Sequence, residues 1–245
     1  MSTPAIVAGI KLQMGMQIRN GPWQHVPLRS KDIHPSLVFA NEQQALRAAS
    51  YETLADRLIA DKTWAESRQI FVTSPMAGDG KTTTAFNLAY AFSKRAQPVL
   101  LVELNLQAPG LRTTLGNPRI RYGIDSLLRK IATEQESVFT LVSDDLYIGA
   151  VRDAMSRTEI KRFQPALGPF LKWAREEFEW VILDCPPVLS RHWDEWFKEN
   201  ATSVLMVVRS ERTPGIYVRS ASRKLKGSLK GAVLSRAGID TWNPL

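Results

Sequence analysis

Between Thr73 and Phe92 the chain reads TSPMAGDGKTTTAFNLAYAF. A short apolar run gives way to two glycines, a lysine and three threonines, which pass straight into an amphipathic helical pattern. This arrangement is suited to phosphate. Glycines let the backbone curl so that successive N–H groups converge on phosphate oxygens, and a helix starting near Lys81 adds the positive end of its dipole. Gly78, Asp79 and Gly80 would form the loop, Lys81 would reach the β- and γ-phosphates of a nucleotide, and the Thr82 hydroxyl would ligate Mg²⁺. Thr83 stands within reach of the α-phosphate. Pro75 occupies the place where the GxxxxGK[ST] pattern usually has a glycine or alanine.

A second chemical element is WVILDCPP, where an apolar strand carries Asp184 to its carboxyl end. A carboxylate there can hold Mg²⁺ through water, as the Walker-B aspartate of phosphate-loop NTPases does. Pro186 and Pro187 end the strand sharply. Neither a histidine nor a positive cluster marks the neighbouring Cys185 as a thiolate, and it reads as a small buried residue.

The elements that must position these groups are visible as alternation. The apolar runs QIFVTS, PVLLVELNL, LYIGAV, WVILDCPP, SVLMVV and GAVLSRA are separated by helical patterns, including a long helix through FLKWAREEF and one from Gly215 to Leu225. Continuous Val, Ile and Leu runs alternating with helices predict an α/β fold, a doubly wound, mostly parallel sheet with helices on both faces. Ligands are expected at the carboxyl ends of its strands. Ala85, Leu88, Ala89 and Phe92 fall at i, i+3, i+4 and i+7, so the helix after the glycine loop is expected to lay one face on the sheet. Before the sheet, NEQQALRAASYETLADRLIADKTW predicts a helix capped by Asn41, with Tyr51, Leu54, Ala55 and Leu58 on one face. Residues 1–40 mix Gly, Pro, Trp and charge without period and read as an irregular extension, leaving 41–245 as the phosphate-loop domain.

The chain has 245 residues and a formal net charge of +8, enough for one large α/β domain with an affinity for anionic neighbours. A single cysteine excludes an internal disulfide, and three scattered histidines exclude a local zinc motif. A reducing cytoplasm fits. The first residues lack a basic segment followed by a long apolar core, and no uncharged stretch suffices to span a bilayer. Membrane association is therefore expected only through a partner.

The segments Thr73 to Thr84, PVLLVELNLQAPGL, WVILDCPPVL, and VLMVVRSERT followed by GAVLSRAG resemble the bacterial tyrosine kinases of the capsular and exopolysaccharide family. These are cytoplasmic phosphate-loop ATPases paired with transmembrane polysaccharide co-polymerases, and they are related to the partition and division-site ATPases. Proline is usual in that family where Pro75 stands. The resemblance implies ATP and Mg²⁺ as cofactors and a catalytic set of Lys81, Glu103 and Asp184, with Thr82, Glu103 and Asp184 as metal ligands. It also places Arg236 at the adenine, where Ser235 replaces the family's asparagine.

The chain departs from the family in three further places. The second motif, DxDxR in the family, is ELNLQ here, so Glu103 keeps a carboxylate while Asn105 and Gln107 lose a charge each. The ExxRxxR motif of ring-forming members meets Ala49, Glu52 and Ala55, so a homo-oligomer of the family's ring type is not implied. No tyrosine-rich tail follows Tyr217. Two readings stay open on these grounds, a tyrosine-kinase-like enzyme of polysaccharide biosynthesis or export and a nucleotide-gated adaptor of the same machinery. A third, a partition-type ATPase binding DNA through RSASRKLKGSLK, is opposed by Met76 in place of that group's signature lysine.

Overall fold

The computed structural model describes residues 24–25, 37–40, 45–95, 98–129, 140–143 and 145–237. Its strands are β1 (Gln24–His25), β2 (Gln69–Thr73), β3 (Val99–Glu103), β4 (Thr140–Ser143), β5 (Leu146–Gly149), β6 (Trp180–Asp184), β7 (Val204–Arg209) and β8 (Leu229–Ser235). They form one sheet in the order β1-β4-β5-β3-β6-β2-β7-β8. From β5 across to β8 every pairing is parallel, whereas β4 pairs antiparallel with β5 and β1 pairs parallel with β4, so this edge pair runs against the rest of the sheet. The expected doubly wound sheet is present. The strands added at its far edge, β1 and β4, are two and four residues long and lack the apolar runs that reveal the others.

Alternate residues of each central strand feed two cores, which is why the runs are apolar throughout. Ile70, Val72, Leu101 and Ile182 lie on one side with α1 (Ala45–Ala60) and α3 (Lys81–Ser93). Phe71, Leu100, Val102 and Leu183 lie on the other, with α7 (Leu167–Glu177), α8 (Glu195–Asn200) and α9 (Gly215–Lys224). Among the described residues, no helix is long and apolar enough to cross a membrane.

Three helical expectations change. The helix before the sheet is two helices, α1 and α2 (Lys62–Ser67), because the Asp61 carboxylate accepts from the Thr63 N–H (2.8 Å) and starts a new N-terminus. Asn41 lies outside the described residues. The helix through FLKWAREEF is also two, α6 (Arg157–Phe163) and α7, joined by a tight turn at Gln164–Ala166. Pro165 has no N–H to continue the first ladder. Finally, α3 is buried from Thr84 to Ala89 without a break, since α1 covers the side away from the sheet. Part of the N-terminal segment also packs here: Leu37 is buried, and Val38 donates its N–H to the Asn87 amide oxygen (3.0 Å).

Candidate functional site

The carboxyl ends of β2, β3, β6, β7 and β8 converge, and the phosphate loop lies among them. Its entry is tied to the strand beside it: the Thr73 hydroxyl donates to the Pro186 carbonyl (2.7 Å) and Val188 N–H to the Ser74 carbonyl (2.8 Å). Gly78 and Gly80 take φ of +84° and +98°, the left-handed region in which a side chain is strained. Asp79 shapes the loop between them. Its buried carboxylate accepts from Met76 N–H (2.9 Å) and from the Thr213 hydroxyl (2.7 Å), while its carbonyl accepts from the Ser235 hydroxyl (2.6 Å). The loop is thereby braced from the ends of β7 and β8 before any ligand arrives, a preorganisation that lowers the ordering cost of binding.

Asp184 is fully buried, and neither carboxylate oxygen has a hydrogen-bond partner. Burial raises its pKa, while the Lys81 ammonium and then the Thr82 hydroxyl, which is close by but outside hydrogen-bond geometry, pull it back. A buried carboxylate without donors is costly unless a cation meets it. These orphaned oxygens beside Lys81 and Thr82 fit a divalent cation bound together with phosphate. Among the described residues no group of three or more His, Cys, Asp or Glu could hold a metal alone. Magnesium would therefore take most of its six oxygens from nucleotide and water, its usual habit.

Glu103 pairs in register with Asp184 across β3 and β6 and is treated differently by its surroundings. Its Oε1 accepts the N–H groups of Gly110 and Leu111 (2.8 Å for Leu111), and its Oε2 accepts Val151 N–H (2.9 Å). Burial first, then the Asp184 charge, pushes its pKa up to about 7 against those three donors. Asn105 is buried, with its amide donating to the Ala108 carbonyl, and Gln107 is half-buried. The second motif is thus folded onto its own loop.

At the rim, Arg209 reaches the Gly78 carbonyl (3.4 Å). Burial and then the nearby Arg236 and Arg212 lower its pKa, so three guanidiniums gather beside the loop. Ser235, at the expected adenine-contact position, has its hydroxyl engaged with Asp79 instead. The basic residues Arg219, Arg223, Lys226 and Lys230 are exposed, on a solvated face. Lys224, also exposed, donates to the Val188 carbonyl (2.7 Å). Sequence reasoning places the segment VVRSERT at the pocket rim but did not find the bond from Thr213 to Asp79, or Gly110 beside Thr82. Thr213 lies 134 residues from Asp79, and no local pattern links the two.

Comparison with known proteins bears on the fold and the family. Tyrosine-protein kinase YwqD of Bacillus subtilis is 24% identical over 217 residues, covering 84% of this chain and 88% of that protein. Succinoglycan biosynthesis transport protein ExoP of Rhizobium meliloti is 22% identical over 249 residues, but the chain spans only 31% of its length. Among solved structures, the chimerical protein CapA2B2 shares the fold with a TM-score of 0.71 and 22% identity, covering 94% of this chain and 98% of that one. The AAA domain family AAA_31 matches residues 67–214, from the first residues before β2 to the end of the loop that braces Asp79. The chain belongs to that AAA domain family, with the phosphate-loop ATPase fold and with bacterial tyrosine kinases among its relatives.

Proposed function

We propose that this protein is an ATP-binding, tyrosine-kinase-like regulator of exopolysaccharide or capsule biosynthesis or export, working at the inner face of the cell membrane through a transmembrane co-polymerase. The observation that carries the reading is the orphaned carboxylate of Asp184 facing Lys81 and Thr82 under a braced phosphate loop. Thr82 and Asp184 would hold Mg²⁺, which when bound neutralises charge on the phosphates. Lys81 would stabilise the transferred phosphoryl group electrostatically, and the loop N–H groups would orient it. The likeness to the tyrosine-protein kinase YwqD and to the succinoglycan biosynthesis transport protein ExoP supports the kinase and polysaccharide parts of this reading.

A second reading, a nucleotide-gated adaptor that binds ATP without transferring phosphate, draws on the second motif. Asn105 cannot ionise, Gln107 carries no guanidinium, and both oxygens of Glu103 accept backbone N–H groups. One experiment separates the readings: nucleotide titration with Mg²⁺, ATP turnover and phosphotyrosine detection on the wild type, Lys81→Ala and Asp184→Asn. Turnover and phosphotyrosine lost in both variants support the kinase. Binding without turnover supports the adaptor, and absence of nucleotide binding overturns both.

A further inference from the structure

Three neighbouring segments meet at the Glu103 side chain. The strand end that carries it is tied to β6 through Leu104 N–H, which donates to the Asp184 carbonyl (2.8 Å). The loop after β3 returns at Gly110 and Leu111, whose N–H groups both point at Oε1. The segment after β5 supplies Val151 N–H to Oε2 and is itself fixed, because the Asp125 carboxylate takes the next N–H, that of Arg152 (2.7 Å). Loop placement matters for the site: a Cβ on Gly110 would lie 3.8 Å from the Thr82 hydroxyl. Whatever holds Gly110 therefore holds one wall beside Thr82. The extra methylene of glutamate over aspartate lets the carboxylate reach past the strand end to these donors. Charge-assisted hydrogen bonds of this kind are about twice as strong as neutral ones, and leaving them for a cation would strand three buried N–H groups.

We infer that Glu103 is a positioning residue that keeps its three backbone partners when a divalent cation binds, clamping the Leu104–Gly110 loop beside Thr82 and leaving the ion to Thr82 and Asp184. This inference rests on the proposed nucleotide site and assigns to the second motif a mechanical duty in place of metal ligation or proton transfer.

Amide hydrogen exchange on the full chain tests it, with and without ADP and Mg²⁺. In the wild type the Gly110, Leu111 and Val151 amides stay equally protected when Mg–ADP binds; faster exchange at any of them on binding would overturn the inference. In Glu103→Gln the amide oxygen can keep two of the three N–H groups while its NH₂ faces the third, so at least one of these amides exchanges on the order of tenfold faster, the loss of about one hydrogen bond, and unchanged exchange at all three would equally sink it. Mg²⁺ still strengthens ADP binding in Glu103→Gln and ceases to do so in Asp184→Asn. Loss of the Mg²⁺ effect in both variants makes Glu103 a ligand and ends the inference. If Glu103→Gln does not fold, the wild-type comparison alone decides. If the wild type binds no nucleotide, the proposed function fails, while Glu103→Gln without nucleotide still reports whether the clamp exists.

Discussion

The phosphate loop and the end of β6 each bury an aspartate, and the fold treats the two oppositely. Asp79 has both carboxylate oxygens and its carbonyl occupied by Met76, Thr213 and Ser235, whereas Asp184 has no hydrogen-bond partner on either oxygen. A partnered buried carboxylate is part of the fold's own architecture. An unpartnered one is an energetic liability of several kcal/mol by the usual desolvation argument, tolerable where a cation removes it. The contrast separates residues that shape the site from those available to a ligand, and neither residue type nor burial alone would do so.

The sharpest way to break this contrast is Asp184→Asn. Mg²⁺ should no longer raise nucleotide affinity, a loss on the order of tenfold or more, yet metal-free Asp184→Asn should unfold in urea at the same concentration as wild type or higher. A marked drop in its midpoint would mean that Asp184 does structural work. Asp79→Ala should behave in reverse. It should lose roughly 1–3 kcal/mol in the same urea melt, because two donors are left without an acceptor, and bind nucleotide more weakly while keeping its response to Mg²⁺. Ser235→Ala removes one brace only, about 1 kcal/mol, and should lower Tm by roughly 2–4 °C for a chain of this size.

The smallest effect concerns a satisfied carboxylate on the surface. Glu159 accepts from Ser156 N–H (2.8 Å) and from Arg129 (2.9 Å), and backbone and side-chain bonds to Ser156 lead in lowering its pKa to about 2. A depressed folded pKa means that its contribution is complete above its ordinary value near 4.5 and fades as pH falls toward 2. Thermal melts of wild type and Glu159→Gln should therefore differ at neutral pH and converge below pH 3. A gap that stays constant with pH would show that the charge contributes nothing.

Much of this was legible in the chain, for a physical reason. β2, β3, β6 and β7 announce themselves because strands covered on both faces need apolar residues at every position. Lys81, Thr82 and Asp184 stand out because strand, glycines and helix follow one another locally. What escaped depends on distance or on competition between local rules. Asp61 reads as one more polar residue in a helix until its carboxylate is seen capping α2. The Thr73–Pro186 and Ser235–Asp79 bonds join segments more than a hundred residues apart. Glu103 looked like a shifted aspartate because sequence shows the extra methylene but not the three N–H groups it reaches.

Cys185 gives the molecule a built-in clock. It is the one thiol of the chain, fully buried next to Asp184, with its S–H directed at the Leu183 carbonyl (3.3 Å) and its pKa pushed well up, by burial first and then by the Asp184 charge. An alkylating reagent can react with it only when the middle of the sheet opens, so the labelling rate of unmodified protein, divided by that of an open thiol, reads the population of the open state when reclosing outpaces alkylation. Nucleotide that closes the neighbouring site should slow the reaction in proportion to its occupancy, which turns one mass-spectrometry time course into a binding assay requiring neither a fluorophore nor turnover.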